Sequence, residues 1–138
     1  MTLKTPRKTT ALFVMLLGCL IGAGCGAKNT TESYHPEDLT AREALEKALT
    51  AWQKGESDPG ALAGGKPQIK VADERWLKGD KLQSFEIGEP LDEDGPAQFP
   101  VKLTLQGSSA PEDEIYVVIG KDPLWVWTKS EYERSGGM

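Results

Sequence analysis

The 138-residue chain holds one histidine, two cysteines and a few short acidic runs, and these are the residues whose types could do chemistry. His35 stands beside Pro36 in a polar segment. A general base needs a second group to orient it, so no catalytic role is expected there. Asp73, Glu74 and Asp80 flank Trp76 in "VADERWLKGDKL". Paired carboxylates of this kind serve acid–base work when one is desolvated and its pKa raised. Arg75, Lys78 and Lys81 alongside read instead as ordinary surface partners. Asp92, Glu93 and Asp94 open no calcium loop, because the fifth and twelfth positions, which must supply oxygen, are Pro96 and Leu103. Glu112, Asp113 and Glu114 lack a following glycine and spaced partners, and read as a solvated hairpin tip. The chain has no phosphate-cradling glycine loop, no nucleophile elbow and no zinc spacing. No cofactor and no metal are expected. A non-catalytic binding or protein-interaction module is the leading reading, and a small enzyme using the carboxylates of Asp73 to Asp80 is the alternative.

Both cysteines lie in or at the end of one apolar run, "LFVMLLGCLIGAGCG". Lys4, Arg7 and Lys8 precede it without an acid, and the chain is then uncharged from Thr9 to Ala27. A basic start, a short greasy stretch and small residues are the layout of a secretory signal. The strongly apolar part, Ala11 to Leu17, is far shorter than the roughly 20 residues of a membrane span. Gly22, Ala23 and Gly24 lead directly into Cys25, which resembles the lipobox of bacterial lipoproteins. The resemblance implies cleavage before Cys25 and a diacylglyceryl group on its sulfur. The usual leucine three residues before the cysteine is replaced by Gly22. "LLGC", ending at Cys19, supplies that leucine but leaves a shorter apolar stretch, so Cys25 is the preferred site and Cys19 the alternative. Two or three acyl chains would anchor the protein stably, where one binds marginally.

This layout divides the chain into a signal peptide at 1–24, a Ser- and Thr-rich tether at 25–36, one domain at 37–132 and a disordered tail at 133–138. From Cys25 onward 13 basic residues face 21 acidic ones, a net charge of −8. Such a surface repels phosphate backbones, so nucleic-acid binding is not expected. Membrane attachment is expected from the lipid, outside the inner membrane and on the cell envelope.

The elements that must position any site follow from hydrophobic period. In "LTAREALEKALTAWQK", Leu45, Ala48, Leu49 and Trp52 fall on one helical face. Thr40 and Glu43 form a capping box, Gly55 is a stop, and Arg42–Glu46 and Glu43–Lys47 are spaced as i,i+4 pairs. "QIKVAD", "KLQSFEIGE", "QFPVKLTLQ", "EIYVVIG" and "LWVWTK" have strand character, and residues 98–106 alternate apolar with polar. Their turn-like links argue for an α+β domain with one N-terminal amphipathic helix on a four- to five-stranded antiparallel meander.

"ALEKALTAWQKGE", the strands after it and the closing "PLWVW" together resemble the nuclear transport factor two-like and cystatin-like α+β superfamily over residues 40–128. The resemblance implies a helix laid in a curved sheet. Enzymes of that superfamily commonly use an Asp and a His inside the cone, and this chain has no histidine there.

"IYVVI" and "LWVW" are apolar on both faces. If "GKDP" closes a symmetric hairpin, Ile119 faces Leu124 and Val117 faces Val126, while Val118 faces Trp125 and Tyr116 faces Trp127. One helix covers one side of such a pair. Tyr116, Trp125, Val126 and Trp127 are therefore the candidate interaction surface, with a homodimer or an envelope protein as partner.

Overall fold

The computed structural model describes residues 35–57, 62 and 65–137. The signal and lipobox readings, Cys25 included, lie outside the described residues. Among the described residues the first element is a helix, α1 (Asp38–Gln53), and the first strand after it is β1 (Ile69–Ala72). One helical turn, α2 (Glu74–Leu77), leads to β2 (Leu82–Ile87), β3 (Ala97–Leu105), β4 (Glu112–Gly120) and β5 (Leu124–Thr128), and α3 (Lys129–Arg134) closes the fold.

The predicted stripe is the buried side of α1. Leu45, Ala48, Leu49 and Trp52 are each at most 1% exposed, and Ala41, Ala44 and Ala51 widen the buried band. The helix begins at Asp38, two residues before the expected Thr40 cap, and its N-cap Glu37 makes no side-chain capping bond. Gly55 ends it with φ +90°, its amide donating to Trp52 O at 2.9 Å. Arg42 does not pair with Glu46. It reaches across to the outer sheet edge and donates to the carbonyls of Gly88 and Ile87 at 2.9 and 3.0 Å. Gln53 does the same at the carbonyl of Gln83, 2.9 Å away. Two α1 side chains thus occupy acceptors that edge strand β2 would otherwise offer to another chain.

The sheet is mixed, which corrects the expected antiparallel meander. β2, β3, β4 and β5 are antiparallel in sequence order, but β1 adds beside β5 in parallel, giving the order β1-β5-β4-β3-β2. β1 and β2 are consecutive in sequence and lie at opposite edges. Their link is therefore a crossover, not a hairpin. Asp73 makes the crossover possible locally: it caps α2, its carboxylate accepting from the amides of Arg75 and Trp76. The turn then drops Trp76, 3% exposed, into the core. There its ring stacks on Trp52 with centroids 5.5 Å apart and planes 7° from parallel.

The helix-side core takes Ile69 and Val71 from β1, Leu82 from β2, Phe99, Val101 and Leu103 from β3, Tyr116 and Val118 from β4, and Leu124 and Val126 from β5. The opposite face carries the complementary set. Residues 133–134, expected as tail, are the last turn of α3, and the amides of Ser135, Gly136 and Gly137 bond back to the carbonyls of Glu131, Glu133 and Tyr132.

Candidate functional site

The β4–β5 hairpin decides which side chains share a face. Gly120 pairs with Leu124, leaving a three-residue loop, Lys121–Pro123, where the symmetric reading needs four. Gly120 has φ +97°, and a Cβ there would stand 2.5 Å from Pro123 O, so the tight closure needs glycine. The register is therefore one residue from the expected one: Ile119 pairs with Trp125, Val118 with Val126 and Val117 with Trp127. A one-residue slip exchanges faces. Of the four candidate surface residues, Tyr116 and Val126 are each 0% exposed in the helix-side core. Trp125 and Trp127 stand on the far face, with Val117 and Ile119.

Two polar constellations result. The first joins α2 to β4 on the helix side. The phenol of Tyr116 donates to Asp73 Oδ2 at 2.5 Å, while Asp73 Oδ1 accepts from the Arg75 amide at 3.0 Å. The Arg75 guanidinium spans Glu112, 2.8 Å away, and Glu114, and lies 3.8 Å from Asp73. Burial raises the Tyr116 pKa well above the ordinary tyrosine value, and the neighbouring Asp73 charge raises it further. Burial opposes the Arg75 charge, but Asp73, Tyr116 and Glu114 together with the bond to Glu112 outweigh it and raise its pKa.

This network is structural chemistry. Asp73 is 1% exposed and its two oxygens are engaged in a cap, a phenol and a guanidinium. The other carboxylates of the enzyme reading do not join it: Glu74 is exposed and pairs with Lys78 at 2.8 Å, and Asp80 is exposed, its backbone carbonyl taking the Trp52 indole N–H at 2.7 Å. Sequence reading missed the roles of Arg75 and Tyr116. The local signal was the Asp followed at the third position by a tryptophan, an N-cap opening a turn. His35 is half-buried and lines a shallow depression of about 340 Å³ with Gly120 and Lys121. Among the described residues no group of three His, Cys, Asp or Glu side chains could hold a metal ion.

The second constellation is the far face. Trp125 and Trp127 lie with ring centroids 5.2 Å apart, tilted by 33°, and the Lys70 ammonium sits 5.3 Å from the Trp125 ring. Beside them runs an open groove of about 670 Å³ between α3 and strands β2 to β4. Its floor is the cross-strand pair Pro100–Ile115. Gly88 donates to Pro100 O at 2.8 Å, and a Cβ on Gly88 would stand 3.0 Å from Pro100 Cγ. Lys102 sits between Glu86 and Asp113 in the ladder, and α3 adds Lys129, Ser130 and Glu133. The Lys129 ammonium is also 4.0 Å from Glu93, on the β2–β3 connection. Carboxylates, ammonium groups and a hydroxyl thus ring an apolar floor, the mixture of apolar lining and a few polar groups common to small-molecule pockets.

Fold and far face together define a small α+β domain with one mixed sheet, covered by a helix on one side and carrying tryptophans and a groove on the other. No family model, no curated protein and no solved structure matches the chain.

Proposed function

We propose that the protein is a lipid-anchored, non-catalytic binding module of the bacterial cell envelope, acylated at Cys25, whose working surface is the sheet face opposite α1. The observation that carries the binding reading is the far face itself: two tryptophans beside a groove of about 670 Å³ with an apolar floor. Of the carboxylates in the enzyme alternative, that of Asp73 is engaged in a cap and a phenol bond and that of Glu74 in a surface pair, while Asp80 is exposed. The anchor reading rests on the basic start, the apolar run and "GAGC". Among the described residues no helix is long and apolar enough to cross a membrane. The partner fits as an envelope protein or a second copy of this chain, and the net charge of −8 from Cys25 onward argues against nucleic acid.

The anchor is tested by intact-mass measurement of membrane-extracted protein, which should give a chain beginning at Cys25 plus lipid. Cys25→Ala should then leave the membrane fraction. A Cys25→Ala protein that is processed normally and stays attached would move the assignment to Cys19 or to an uncleaved segment. The binding surface is tested separately through Trp125, below.

A further inference from the structure

The groove on the far face is walled by charges that the protein leaves unmatched. Arg75 engages Glu114, but Glu86, Asp113 and Glu133 make no ion pair among the described residues. Lys129 holds its ammonium beside Glu93, which is not part of the groove. Lys102 stands between Glu86 and Asp113 in the ladder, yet forms an ion pair with neither. Three carboxylates and one ammonium thus face whatever enters, a net of two negative charges.

Unpaired acids are common on an acidic surface; here they ring an apolar floor. Pro100 and Ile115 are half-buried, and Gly88 beside them adds no side chain to cover Pro100. This combination narrows the occupant. An anion would meet like charge. A lipid tail would cover the floor but take the carboxylates out of water without partners. A metal ion needs converging ligands, and no group of three is present among the described residues. An occupant apolar on one side and cationic at its edges satisfies both floor and walls. The groove is open, so such an occupant lies across it as a segment of a larger molecule. A second copy of this chain, in which acids exceed bases by eight from Cys25 onward, would bring mostly like charge into the groove. Self-association belongs to the tryptophan pair beside it.

We propose that the groove docks a basic segment of an envelope protein, whose apolar side chains rest on Pro100 and Ile115 while its Lys or Arg residues meet Glu86, Asp113 and Glu133. Lys102, standing among the acids, offsets part of their attraction. This rests on the far face being the working surface and adds what that surface selects.

The probes are three capped pentapeptides, Lys-Val-Lys-Val-Lys, Ser-Val-Ser-Val-Ser and Glu-Val-Glu-Val-Glu, titrated into the ¹⁵N-labelled full chain in non-ionic detergent at low salt. The lysine peptide should shift the amides of Lys102, Ile115 and Ser130 saturably, with an affinity that falls as sodium chloride is added. The serine and glutamate peptides should bind far more weakly. Glu86→Gln combined with Glu133→Gln should weaken the lysine peptide roughly fivefold, and Lys102→Gln should tighten it roughly twofold. Glu43→Gln with Glu46→Gln removes the same charge from α1 and should leave the affinity unchanged. All five positions are exposed, so none of these variants disturbs the core. Equal binding of the serine peptide in the groove would overturn the basic-segment proposal and leave the far face a binding surface. Shifts outside the groove, equal weakening by the α1 pair, or no shift with the lysine peptide would overturn it as well. The far-face reading then rests on Trp125→Lys, which is measured independently.

Discussion

The Tyr116 hydroxyl on β4 donates to the 1%-exposed carboxylate of Asp73, which caps α2, at 2.5 Å. One bond thus ties the central part of the sheet to the crossover that carries the chain from one edge to the other. Tyr116→Phe keeps the ring and leaves Asp73 Oδ2 without its donor. It should cost about 1–3 kcal/mol in urea unfolding. Asp73→Ala removes the cap as well and should cost more. The double variant should fall short of the sum, because both changes break the same bond.

The same pair predicts alkaline instability. The Tyr116 pKa in the folded protein lies well above its ordinary 10.0, through burial first and Asp73 second. Above about pH 10 the unfolded chain gives up this proton while the folded one keeps it, so the unfolded state binds fewer protons. Stability is then fully present below the ordinary value and falls as pH rises past it. Urea midpoints measured from pH about 8 to about 11 should drop at the upper end. Tyr116→Phe should flatten that drop, and a drop of equal size in the variant would remove Tyr116 as its cause.

Trp52 and Trp76 lie nearly parallel at 5.5 Å, each with its indole N–H on a carbonyl. Trp52→Ala should cost about 3–5 kcal/mol, a large share of a small domain's stability. A double-mutant cycle with Trp76→Ala should return a coupling of about 0.5–1.5 kcal/mol. His35→Ala should melt with the wild type. Equal melting temperatures for Trp52→Ala and His35→Ala would refute the placement of Trp52 in the core.

The shifted hairpin register separates two neighbours. Val126 is 0% exposed in the helix-side core, so Val126→Lys should fail to fold. Trp125 is half-buried on the far face, where Lys70 already lies over its ring. Trp125→Lys should keep the wild-type circular dichroism spectrum and lower self-association of the purified protein in sedimentation velocity. If Trp125→Lys unfolds as Val126→Lys does, the far face is internal and loses its claim as a working surface.

Much of this was written in local pattern. The period of Leu45, Ala48, Leu49 and Trp52 is the buried side of α1, and the alternation of Phe99, Val101 and Leu103 is the core side of β3, because each depends on one element's own geometry. The groove was not legible. Glu86, Lys102 and Asp113 are distant in sequence and meet only through the ladder, and α3 opens at Thr128, a cap that reads in sequence as the end of a strand.

The sequence alone determined where α1 and the strands lie, which periods they carry, and the acidic balance of the chain. The tertiary structure alone decided three things. It set β1 at the far edge beside β5, a pairing between segments more than fifty residues apart that no local period specifies. It shifted the β4–β5 register by one residue, since a strand apolar on both faces tolerates either register and the three-residue turn at Gly120 makes the choice. That shift placed Tyr116 and Val126 inside and turned Trp125 and Trp127 to the other face, because in a strand every side chain's face follows from the register of its neighbour.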